Sequence, residues 1–194
     1  MILYILILLC IIIFIYYAFN YNDMVYVKSD VDGNTYLVRN LKDKQYASNM
    51  LAKINQRVNI LINYLYTNKS NDKNKKYEQY INLLHNKIKS AVIIESSDDG
   101  LYTSYSVNKG EQLVFCLRSR KHKDDIHDIN LMMYVVLHEI SHVACPIYDN
   151  HGPLFKEIFS FITQTAIDLQ LYVRIDFPHN PTEYCGLIIS DSII

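Results

Sequence analysis

The segment Leu137-His138-Glu139-Ile140-Ser141-His142-Val143 constrains this chain more than any other. A helix turns about 100° per residue, so His138 and His142 lie one above the other on a single face, about 6 Å apart at their Cβ atoms. Two imidazoles placed in this way can reach one Zn²⁺ at about 2.0–2.1 Å. Glu139 is turned toward the space beside the ion, where its carboxylate can take a proton from an activated water. With 7 His and 6 Glu in 194 residues, chance supplies roughly 0.008 matches to this pattern. The flanking Tyr134-Val-Val-Leu137 and Val143-Ala144 provide the apolar side of a buried helix.

A catalytic zinc needs three protein ligands and one open position. His151 is the leading candidate for the third. It follows His142 by nine residues, in a loop broken by Pro146 and by Gly152-Pro153, so the chain can fold back toward the metal. Glu157 is the rival, on the helix that Pro153 would start, and Asp149 and Cys145 remain open. Cys145 reads more simply as a small buried residue near a helix end.

Composition divides the chain in two. Residues 1–19 contain no charged residue, no His, Asn or Gln, and no Gly or Pro, and would make a helix about 28 Å long, close to a bilayer's hydrocarbon thickness. Tyr16, Tyr17 and Phe19 suit an interfacial belt. The expectation is an uncleaved transmembrane anchor over 1–20, with a signal peptide or a buried helix as the competing readings. The remaining residues, 21–194, carry all the charge, 19 basic against 20 acidic, which excludes a strongly basic nucleic-acid coat and an acidic disordered tail. Lys28, Arg39, Lys42 and Lys44 after the anchor favour a domain on the cytoplasmic, reducing side. So does the odd set Cys116, Cys145 and Cys185, which has no framework spacing. Asn68-Lys69-Ser70 would be a glycosylation sequon if the domain were lumenal.

Along the domain, residues 24–38 read as a hairpin around Asp30-Val31-Asp32-Gly33-Asn34. Ala47, Met50, Leu51, Ile54, Val58, Leu61, Ile62 and Leu65 recur at helical steps over 43–66, and a second helix resumes at Tyr77. Residues 92–94, 102–107 and 112–118 read as strands, the last two joined at Asn108-Lys109-Gly110-Glu111. The apolar segment 131–145 and residues 154–171 read as helices. The fold class expected is α+β, one domain with helices on one side of a small sheet.

Three further elements carry expectations. The strand 113–117 could be an edge that pairs with an extended peptide. Arg118, Arg120, Lys121 and Lys123 could touch phosphates, but beside Asp124, Asp125 and Asp128 they read more readily as a solvated loop. Tyr184 is a candidate hydroxyl donor to an oxyanion. His85, His122, His127 and His179 have no paired spacing and read as structural or exposed.

His138-Glu-x-x-His142, eight intervening residues, and then His151-Gly152-x-x-Phe155 resemble the WLM and SprT-like zinc metallopeptidases, whose third ligand is the histidine of such an HGxxF element. Val31-Asp-Gly-Asn-Thr-Tyr-Leu-Val-Arg39, Asn108-Lys-Gly110 and Glu183-Tyr-Cys-Gly186 are similar to WLM-type metallopeptidases of large nucleocytoplasmic DNA viruses. The similarity spans most of residues 24–194. It implies a single zincin-like metallopeptidase domain over 21–194, behind the transmembrane helix. It also implies one Zn²⁺ on His138, His142 and His151, with Glu139 catalytic. The apolar leader is no part of that family's core, and no separate SUMO-, ubiquitin- or DNA-binding module is expected after the domain.

The function expected is peptide-bond hydrolysis by a membrane-anchored, single-pass zinc enzyme acting on a protein or peptide substrate. Two alternatives stand beside it: a non-catalytic, zinc-stabilised interaction protein tethered to the membrane, and a DNA-associated protease of the crosslink-repair type.

Overall fold

The computed structural model describes Tyr4, Ile7 and residues 9–13, 23–97, 103–122 and 125–194. Strands β1 (Met24–Lys28) and β2 (Thr35–Arg39) form the expected hairpin, with Met24 opposite Arg39 and Lys28 opposite Thr35. Its turn closes where the Asp32 carboxylate accepts the Asn34 N–H (3.0 Å) and the Tyr36 hydroxyl (2.7 Å). Helix α1 (Lys44–Thr67) buries the whole stripe read from the spacing, Ala47 through Leu65. Helix α2 (Glu78–Ile88) buries Ile81, Leu84 and Ile88 against it.

Strands β3 (Val92–Glu95), β4 (Tyr105–Val107) and β5 (Gln112–Phe115) make a three-stranded sheet in the order β3-β5-β4. β3 runs parallel to β5, and β4 runs antiparallel to it. The strand over 113–117, a candidate edge, is therefore central, and β3 and β4 are the outer strands of this sheet. The crossover that brings β3 beside β5 leaves no local mark in the sequence. Helix α3 (Ile129–Ala144) starts at Asp128, whose carboxylate accepts the Asn130 N–H (2.7 Å) in an N-cap. Helix α4 (Pro153–Asp168) has Pro at its first turn. A last hairpin, β6 (Thr182–Tyr184) and β7 (Leu187–Ile189), turns through Cys185 and Gly186, both at positive φ. The single sheet expected is thus three small ones among the described residues, joined by a hydrophobic core to which α1–α4 and β5 all contribute.

Two expectations about the chain's setting are corrected. The transmembrane helix over residues 1–20, and with it the single-pass membrane location, is not found. Among the described residues no helix is long and apolar enough to cross a membrane. Residues 1–3, 5, 6, 8 and 14–22 lie outside the described residues. The reading of the cysteines as an unpaired set is also corrected. Cys116 and Cys185 form a disulfide, with Cα atoms 6.3 Å apart across 69 residues of sequence, while Cys145 is free and buried. Spacing cannot reveal a pairing made by the return of a distant hairpin.

Arg118 leaves the basic stretch altogether. It is 3% exposed and sits between Glu95 (1% exposed, Nε–Oε1 2.6 Å) and both oxygens of Asp43 (2.7 and 2.6 Å). Glu95 Oε2 also accepts the Arg39 N–H (2.7 Å), so this cluster ties the first hairpin, α1's start, β3 and the end of β5 together. Burial raises the Glu95 pKa even against the opposing guanidinium. Replacing Arg118 by Met should cost about 3 kcal/mol or more, because it strands that carboxylate; urea unfolding of the variant beside wild type measures it.

Candidate metal centre

Helix α3 presents His138 and His142 on one face, as the four-residue step requires. The loop after it turns back through a 3₁₀ segment (Ile147–Asp149) and delivers His151. The three Nε2 atoms converge at 3.0, 2.9 and 3.3 Å from one another. Three ring nitrogens meeting at one point repel through their lone pairs or crowd their protons, and a shared cation relieves both. The donor set therefore fits a metal ion, and the trio could hold one. Burial, with the neighbouring imidazoles, pushes His138 down to about 4 and His142 to about 3, which keeps both uncharged with lone pairs free at neutral pH.

Aromatic rings hold the imidazoles. Phe155 stacks on His142 with ring centroids 4.2 Å apart and meets His138 and His151 edge-on, and Phe159 meets His138 at 5.3 Å. The placing of His151 depends on Asp149. One oxygen of its carboxylate accepts the Phe155 N–H (2.7 Å) and caps the start of α4. The other lies only 2.2 Å from where a Cβ on Gly152 would be. The glycine after His151 is thus dictated by the cap. Gly152→Ala should force the carboxylate off the helix end, cost about 1–2 kcal/mol and lower metal occupancy, both measurable by thermal unfolding and metal analysis.

Glu139 is 7% exposed and lines the cleft beside the trio; among the described residues nothing hydrogen-bonds its carboxylate. Burial alone lifts it to about 7. The rival ligand Glu157 faces elsewhere, paired with Lys76 on the surface. Asp149 and Cys145 stay outside the trio as well. The hydroxyl of Tyr184, 3% exposed, donates to the Cys116 carbonyl (3.0 Å), since that oxygen can only accept. Ser104 then donates to the Tyr184 oxygen while accepting the Cys116 N–H (3.1 Å). That closed triangle pins the start of β4 beside Glu139 and commits the one proton that an oxyanion role would need. His127 accepts the Cys185 N–H (3.1 Å), and burial lowers its pKa.

One participant carries no signal in the sequence. Lys109, at the tip of the β4–β5 turn, donates to the carbonyls of His142 (2.8 Å) and Cys145 (2.9 Å) and so closes the C-terminal end of α3.

The chain is 47% identical over 169 residues to the uncharacterized protein R325 of Acanthamoeba polyphaga mimivirus, covering 87% of this chain and 84% of that one. It belongs to the family of that viral protein. It is also 36% identical over 70 residues to the uncharacterized protein 136R of Invertebrate iridescent virus 6, covering 36% of this chain and 38% of that one. No family model matches. Among solved structures, Wss1 from Saccharomyces cerevisiae superposes with a TM-score of 0.36 at 16% identity, over 53% of this chain and 83% of that chain, an overlap too partial to carry an assignment.

Proposed function

We propose that this chain is a zinc-dependent peptidase of the WLM and SprT-like kind. The observation that carries the reading is Glu139, a buried carboxylate with no hydrogen-bond partner among the described residues, on the wall of a cleft beside three converging imidazoles. His138, His142 and His151 would hold the ion. A zinc ion in such a site supplies Lewis acidity, polarising a carbonyl and making water nucleophilic at neutral pH.

The remaining steps belong to the chain. Glu139 takes a proton from the attacking water onto its carboxylate and returns it to the amine nitrogen as the C–N bond breaks. Its raised pKa matches a group that must both accept and release a proton near neutrality. Tyr134 and Val135 line one side of the cleft next to Glu139. β4, an outer strand of its sheet among the described residues, borders the cleft through Tyr105 and Ser106, with Ser104 just before it, and an extended peptide would lie beside it. The reading of a DNA-associated protease loses one of its cations, because Arg118 is taken up by Glu95 and Asp43.

The test is metal analysis of the full chain together with cleavage of a peptide library. One equivalent of zinc and cleavage that stops on chelation support the proposal. A fully zinc-loaded protein that cuts nothing overturns it.

A further inference from the structure

We infer that Lys109 makes one end of the cleft selective for a substrate carboxylate, so that the best substrates carry Asp or Glu on the Lys109 side of the scissile bond. The inference rests on the peptidase reading above and names its substrate class. The cleft has two unlike ends that share His138, Glu139 and Ser104. One, about 410 Å³, is walled by Tyr134, Val135, Leu187 and Ile188 together with Ser190 and the carboxylate-bearing Asp191. The other, about 530 Å³, is walled by Ser106, Lys109 and Asn150 together with His142 and His151. A bound peptide therefore meets an acidic residue, Asp191, on one side of the cut and a basic one, Lys109, on the other.

Lys109 is held firmly in that wall. It sits at φ 57 in the β4–β5 turn, and the next residue, Gly110, lies so close to α3 that a Cβ there would come within 3.0 Å of Val143. The ammonium has three N–H donors, and the His142 and Cys145 carbonyls use two of them. Among the described residues no carboxylate pairs with it. Capping the end of α3 uses two donors, and the third belongs to a cation that lines the cavity and has no carboxylate partner among the described residues. A carboxylate entering this end would satisfy them with a charge-assisted hydrogen bond to a donor that needs no reorganisation.

The experiment uses the full-length, zinc-loaded protein and peptides that differ at a single position, scanned on both sides of the cut with Glu, Gln and Lys. Wild type should cleave the Glu peptide on one side about tenfold faster in kcat/KM than its Gln counterpart. Lys109→Gln should bring that ratio to about one, Lys109→Arg should restore it, and Lys109→Glu should reverse it in favour of Lys peptides. Binding to the Glu139→Gln protein, followed by fluorescence anisotropy, should rank the peptides in the same order without turnover. A Lys109 that only caps α3 would change all peptides by one common factor, and that result overturns the inference. So does a wild type that cleaves Glu and Gln peptides equally, which leaves the peptidase reading standing. A zinc-loaded wild type that cleaves none of them removes that reading and the inference with it.

Discussion

Glu139→Gln is expected to keep zinc and lose turnover, with kcat/KM on any cleaved peptide down by about 10³-fold or more, the upper part of the range for losing a general base. The amide preserves shape but cannot accept the proton. Because the carboxylate is not among the converging nitrogens, metal content should remain at one equivalent. Full activity in this variant would remove Glu139 from the chemistry. A stability effect accompanies the loss. In the metal-free protein burial raises Glu139 from 4.5 to about 7. The protonated form is the one favoured in the fold, so this residue's contribution is fully present below about pH 4.5 and is lost as pH rises through 7. Metal-free Glu139→Gln should therefore be more stable than wild type at pH 8 by about 3 kcal/mol. The difference should vanish near pH 4.5, which urea titrations at the two pH values would show.

His142→Ala is expected to do the opposite, abolishing metal binding and activity together while leaving the fold intact. Its Nε2 stands 3.0 Å from that of His138 and 2.9 Å from that of His151, so its removal leaves two donors on different elements. Two histidines are too few to hold zinc at working concentrations, and dialysed variant should retain less than about a tenth of an equivalent. His142 is only partly buried, at the end of a helix packed on its other faces, so circular dichroism should be unchanged. An unaltered zinc stoichiometry would take His142 out of the site. The two variants together separate holding the ion from using it.

The features legible in the sequence are those written over short distances. The four-residue step of His138 and His142 places both on one face because helices have a fixed period. The stripe from Ala47 to Leu65 predicts a helix whose observed bounds differ by a single residue at each end. His151 could be nominated because Pro146 and Gly152 announce a turn of the right length, whereas the reason for Gly152, the Asp149 cap, is visible only in three dimensions. The contacts that escaped join residues far apart in the chain. Arg118 looked like part of a solvated basic loop, yet its partners lie 75 and 23 residues away. β5 looked like an edge because its neighbour β3 reaches it over a crossover. Lys109 looked like an ordinary turn residue, although its ammonium lies 33 residues away against the end of the metal helix.

The Cys116–Cys185 link has a consequence for the unfolded chain as well as for the folded one. The loop closed by the two cysteines, 69 residues apart in sequence, includes all of α3, the loop carrying His151, and α4, so His138, Glu139, His142 and His151 lie on one covalent ring. A ring of that length gives up, in a chain-entropy picture, about 4 kcal/mol of disorder before folding begins. The segment that must bring three imidazoles to a single point thus has far fewer arrangements to search than an open chain of the same length.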